Sequence, residues 1–215
     1  MTATSWRMTI GLLLPAAAIA VAPGCVVGSG EGEIAGFAYL PACGYAGGAD
    51  PDVDGSPFSL PIDSFFGEVV GERIVIRLQV GGANIGTSDG LVIEVADRHA
   101  LAAAIAGNEG RPVEVEVPPQ IPPNTAAGAR ASLYLNWSCP DAFVDFSRGS
   151  GTVFFDSIYA READGDHADI DGIAGRFEGL EFRDERPGAA VPPWATVDGW
   201  FRFSYTRGRP SQPFP

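Results

Sequence analysis

The sequence predicts a mainly β fold, a single antiparallel β-sandwich or barrel of about eight to nine short strands with one short helix near 98–106. Two short stretches alternate apolar and polar residues in the period of a half-buried strand, RIVIRLQV (Arg73–Val80) and VEVEV (Val113–Val117). The 28 Gly and 18 Pro are dispersed between apolar runs, as turns between many strands would require. Only one run, Arg98 to Ala106, reads as a helix.

In chain order, Ile34 to Leu40 is the first expected strand, closed by Pro41 and followed at once by Cys43. Gly44 to Gly55 is a turn-rich loop. Phe58 to Leu60 and Phe65 to Val70 are apolar runs around Pro61, the pattern of an irregular edge. In RIVIRLQV, Ile74, Ile76, Leu78 and Val80 share one face, and Arg73, Arg77 and Gln79 take the other. Leu91, Ile93 and Val95 alternate with Glu94. Asp97 is a helix N-cap for Arg98 to Ala106, an alanine-rich run stopped by Gly107. Pro118 to Pro123 is a stiff connector. In SLYLNWSC, Leu133, Leu135 and Trp137 point one way, with Tyr134 and Asn136 opposite. Thr152 to Tyr159, Ile173 to Phe182 and Ala195 to Thr206 supply three more strands. In the last, Val197, Phe201, Phe203 and Tyr205 alternate with Asp198, Arg202 and Ser204.

The 215 residues carry 27 acidic and 14 basic side chains, a formal charge of −13, and apolar residues make up 46%, which argues against disorder. A chain this acidic is repelled by nucleic acid, so no nucleic-acid partner is expected. Every basic residue is Arg. Without lysine, a P-loop, a Schiff-base enzyme and a Ser-Lys dyad are all excluded.

The N-terminal stretch has the anatomy of an export signal: Arg7 supplies a positive n-region, and Gly11 to Val21 is almost wholly apolar, ending in small residues. It is too short to span a hydrocarbon core about 30 Å thick, and Pro15 disfavours a buried helix. The expected organisation is a signal peptide over 1–24, a flexible tether over 25–33, a β-rich domain over 34–206 and a C-terminal tail over 207–215. Loss of 1–24 removes Arg7 and no acid, taking the formal charge from −13 to −14.

Val21-Ala22-Pro23-Gly24-Cys25 resembles the lipobox of bacterial lipoprotein precursors, which has an aliphatic residue at −3, small residues at −2 and −1 and the cysteine that becomes the mature N-terminus; Gly24 matches at −1, while Ala22 and Pro23 stand where Leu and Ala or Ser are usual. The resemblance covers the first 25 residues and implies lipidation of Cys25. It also implies the outer membrane as the address, since Val26 at +2 is not the Asp that commonly retains such proteins in the inner membrane. The membrane partner is then the lipid anchor, and a protein or glycan partner is left open. Cleavage after Ala20-Val21-Ala22 is the competing reading and would release a periplasmic or secreted chain with three cysteines. An odd count in an oxidising compartment leaves one thiol unpaired. Lipidating Cys25 removes that difficulty and leaves Cys43 and Cys139 as an even pair. Their bridge would close a loop of about 96 residues, worth about 4 to 5 kcal/mol in a chain-entropy model. The domain as a whole is similar to uncharacterised exported lipoproteins of high-GC Gram-negative bacteria, a resemblance that implies no activity.

Two acidic clusters are candidate calcium sites. Asp50, Asp52 and Asp54 open like a calcium loop, but its twelfth position is Pro61 instead of the bidentate Glu. Asp164, Asp166, Asp169 and Asp171 form the second cluster, and both also suit solvated turns. No cofactor is expected beyond such weak calcium, because three Cys and two His in this arrangement lack zinc-site spacing. His99 and His167 have no nucleophile beside them in a recognised arrangement, so no catalytic residue is assigned. Tyr134 and Trp200, on the polar sides of their strands, are candidates for stacking on a ligand. The expectation is therefore a non-enzymatic envelope lipoprotein with a binding or structural β domain. The alternatives are a carbohydrate-active enzyme using an unidentified carboxylate pair and a calcium-dependent binding or adhesion module.

Overall fold

The computed structural model describes residues 30–45, 55–81, 84–119, 128–140, 145–160, 172–184, 191–204 and 212–213. Within them twelve strands and one α-helix form two six-stranded antiparallel sheets, so the sandwich expectation holds. The first sheet contains β1 (Gly30–Tyr39), β2 (Ser56–Pro61), β6 (Val113–Val117), β9 (Gly149–Ser157), β10 (Gly172–Arg183) and β11 (Trp194–Ser204), in the order β2-β1-β11-β10-β9-β6. The second contains β3 (Ser64–Val70), β4 (Arg73–Val80), β5 (Asp89–Val95), β7 (Ala129–Leu135), β8 (Asp145–Phe146) and β12 (Gln212–Pro213), in the order β12-β3-β4-β5-β7-β8.

The core lies between the sheets and follows the period-two pattern. Ile74, Ile76 and Leu78 of β4 face Phe155, Phe177 and Phe201 from the first sheet's side, all fully or almost fully buried. The alternation in β11 skips Gly199, and Phe177 fills the gap: its ring occupies the space that a side chain at Gly199 would need. The missing side chain is thus a packing decision made with the neighbouring strand.

Two short connections carry the chain from one sheet to the other. Ile62 and Asp63 link β2 to β3, and Ser147 and Arg148 link β8 to β9. These are corners of the kind that bent strands make in orthogonally packed sheets. The Gly30 end of β1 lies against Phe65 at the start of β3, whereas its far end leads to Cys43, bonded to Cys139 beyond β7. Strand β1 therefore runs across the second sheet, from the β3 side to the β7 side.

Two boundaries and the strand count differ from expectation. Strand β1 begins at Gly30 and pairs with β11 from Gly30↔Phe203 onward, so residues 30–33 belong to the sheet and not to a tether. Gly30 and Gly32 are its inward positions, and a Cβ on Gly32 would come within 3.0 Å of the Phe65 ring. Glycine there allows close approach of the backbone, not flexibility. Gln212 and Pro213, assigned to the tail, pair with Phe65 and Ser64 of β3. The strand count exceeds eight or nine because β8 and β12, two residues each, carry too little pattern to be read from sequence.

Helix α1 (Arg98–Gly107) starts as predicted, with the Asp97 carboxylate accepting from Ala100 N–H at 2.8 Å. It extends through Gly107 and leaves by Glu109 (φ 53°) and Gly110 (φ 76°). No described helix is long and apolar enough to cross a membrane.

Candidate functional site

The disulfide joins the two sheets. Cys43 closes a 3-10 turn, Pro41–Cys43, after β1, and Cys139 lies in the turn after β7, with Cα atoms 5.1 Å apart. That turn is held by a carboxylate from β5. Asp89 is 1% exposed and accepts from Trp137 N–H (2.8 Å) and Ser138 N–H (3.1 Å). Both interactions are charge-assisted, the stronger kind of hydrogen bond. Asn136 completes the turn, its amide donating to the Ile85 carbonyl at 2.9 Å.

Beside this turn, on the outer side of the second sheet, Gln79, Gly90 and Tyr134 sit at one register level on β4, β5 and β7. The Tyr134 hydroxyl donates to Gln79 Oε1 at 2.8 Å, bridging the strand between them. Gly90 makes that possible, since a Cβ there would sit 2.7 Å from the Tyr134 oxygen. Burial pushes the Tyr134 phenol up to about 12, against smaller opposing effects of the Arg77 charge and a hydrogen bond with Ser88. Tyr134 is only 4% exposed, which corrects its assignment as a stacking residue. Its hydroxyl found a buried partner across a glycine, and nothing in its own strand's alternation announces that. Gln79, placed on the polar face, is fully buried for the same reason.

Trp137 is also corrected. Alternation aligns it with Leu133 and Leu135, but the strand stops at Leu135 and the indole is exposed, lying over the backbone of Gly81.

Trp200 keeps its exposure, at 42%, on the outer face of the first sheet. Across from it stand Glu33 on β1 and Arg176 on β10. The Arg176 guanidinium lies 4.4 Å over the Phe154 ring, and its Nε is 3.2 Å from Glu178 Oε1. Arg202 pairs with Glu31. Asp198 accepts from Gly179 N–H at 2.7 Å, fixing the bulge that interrupts β10. Glu33 has no ion-pair partner among the described residues. Phe37, exposed on the same face, lies four residues along β1 from Glu33, about 13 Å. The surface thus offers two aromatic side chains separated by the Ala35–Asp198 pair, with carboxylates at hand. Sequence reasoning missed Phe37, although it stands opposite to Ala38 in the alternation of β1.

No family model, curated protein or solved structure matches the chain. The site must be judged on its own geometry.

A cavity of about 330 Å³ between α1 and β6 is lined by Asp97, Glu114 and Glu116 among others. Glu114 and Glu116 share a face about 7 Å apart, within the range for an inverting glycosidase. Both are exposed, however, and Asp97 is occupied in capping the helix. A carboxyl that serves as general acid is typically enclosed by apolar surface. His99 lies at the surface with Nε2 3.7 Å from Glu72 Oε2. Among the described residues no group of three or more His, Cys, Asp or Glu could hold a metal. Cys25, both calcium candidates (Asp50, Asp52, Asp54; Asp164, Asp166, Asp169, Asp171) and His167 lie outside the described residues.

Proposed function

We propose that this chain is an exported cell-envelope lipoprotein, anchored in the outer membrane by lipid on Cys25, whose β-sandwich acts by binding. The observation that carries the anchor is cysteine parity. Cys43 and Cys139 are bonded to each other, which leaves Cys25 as the remaining cysteine of the three in the sequence. A bridge between sheets also suits an oxidising compartment, which the export signal requires. Binding is favoured over catalysis by the way the buried polar groups are used: Asp89 is committed to a turn, and Tyr134 to Gln79. The exposed aromatic face around Trp200 and Phe37 is the surface available for a ligand. A glycan is its best-suited class, since aromatic rings stack on sugar faces and carboxylates such as Glu33 accept from hydroxyls.

Metabolic labelling with a fatty acid tests the anchor. The wild-type chain should incorporate label and fractionate with membranes, and Cys25→Ser should do neither. Label retained in Cys25→Ser would overturn the assignment.

A further inference from the structure

Two loops at one end of the second sheet contain no charged residue in a chain of formal charge −13: GGANIGTS (Gly81 to Ser88), which joins β4 to β5, and NWSCP (Asn136 to Pro140), which follows β7. They touch. The Asn136 amide donates to the Ile85 carbonyl at 2.9 Å, and the Trp137 ring comes within 2.9 Å of where a Cβ on Gly81 would stand. Two carboxylates, Asp63 and Asp89, accept from the loops' backbone N–H groups, at Gly81 and at Trp137 and Ser138. On this surface Trp137 is 58% exposed and Ile85 is 40% exposed. The indole is nevertheless held in place: its backbone N–H is bonded to Asp89, Cys139 is bridged two residues on, and Gly81 lies under the ring. An ordered apolar ring left in water has lost conformational freedom without gaining burial, so a partner that covers it meets little further ordering cost.

The place where the chain enters the domain points to the partner. Cys25 stands five residues before Gly30, at most about 18 Å of chain. Gly30 lies against the Phe65 ring, and Asp63, two residues before Phe65, holds Gly81 beneath Trp137. These links put Trp137 within roughly 20 Å of Gly30. We propose that Trp137 and Ile85 dock on the headgroup layer of the membrane that holds the Cys25 lipid. The inference rests on that lipidation. An indole suits this layer, with its apolar body toward the acyl chains and its N–H toward lipid oxygens. Uncharged loops of Asn, Thr and Ser avoid the repulsion that the acidic remainder of the chain meets at anionic headgroups. A tether of a few residues holds the patch near the surface at an effective concentration of about millimolar, so a weak intrinsic affinity suffices.

Bromolipid quenching tests this on the mature chain recovered from membranes and reconstituted in phosphatidylcholine vesicles brominated close to the ester groups. Tryptophan emission should fall relative to unbrominated vesicles. Trp137→Phe, which keeps a ring over Gly81, should abolish that fall while remaining membrane-bound at an unchanged thermal midpoint, and Trp200→Phe should retain it. A fall that survives Trp137→Phe, or no fall in a chain that carries fatty-acid label, overturns the docking and leaves the anchor standing. Trp137 shielded from aqueous iodide but untouched by the bromolipid also overturns it, and assigns the patch to a second copy of the chain. A chain without label overturns the anchor and the docking together.

Discussion

The outer faces of the two sheets look alike in sequence and behave in opposite ways. Tyr134 on β7 and Trp200 on β11 are both aromatic residues at polar-side positions of alternating strands. Tyr134 is 4% exposed and Trp200 is 42% exposed. The difference comes from what stands beside each on the neighbouring strand. Tyr134 has Gly90, which lets the ring lie flat across β5 and reach Gln79. Trp200 has Glu33 and Arg176 opposite it, and neither neighbour leaves the open backbone that Gly90 offers to Tyr134. One face has been closed into structure, and the other remains available for contact.

Three substitutions break or sharpen that contrast. The largest effect is expected from Asp89→Ala, which leaves the N–H groups of Trp137 and Ser138 without their acceptor and should cost about 2–3 kcal/mol in chemical denaturation. A change below about 0.5 kcal/mol would mean that the turn does not depend on this carboxylate.

Tyr134→Phe comes next, at about 1–2 kcal/mol, because it removes the buried hydroxyl that donates to Gln79 Oε1. It also carries a pH signature. The folded phenol titrates near 12 and an ordinary one near 10, so the folded state holds the proton more tightly. Its contribution is complete below pH 10 and is lost as pH rises from about 10 to 12. Thermal melts across that window should fall more steeply for wild type than for Tyr134→Phe. Parallel curves would show that the phenol is not shielded.

Trp200→Ala should have the smallest effect on stability, within about 0.5 kcal/mol, while reducing adsorption to isolated envelope glycan. A stability loss matching that of Asp89→Ala would place Trp200 among the closed residues and remove it as a contact.

Much of the sandwich could be read from the chain. Arg73–Val80 and Val113–Val117 appear as strands with the predicted bounds, and Asp97 caps the helix as expected. Alternation within a strand is local information, and it survives folding wherever one face meets the core. Gln79 and Tyr134 differ from the pattern because each is buried by the other, 55 residues away, and Trp137 because the strand ends at Leu135 and gives way to a turn held by Asp89, 48 residues away. Gly30 and Gly32 were misjudged for a related reason: glycine in a polar stretch reads as slack, and only the Phe65 ring reveals it as clearance.

The bridge from Cys43 to Cys139 has a mechanical consequence. Tension applied at the N-terminal end enters the sandwich at Gly30 and can peel β1 only as far as Cys43. From there the covalent path leaps to Cys139, so the 96 residues of separation, with β2 to β7 inside them, lie off the load line. The chain can be tugged from that end without paying out half its length.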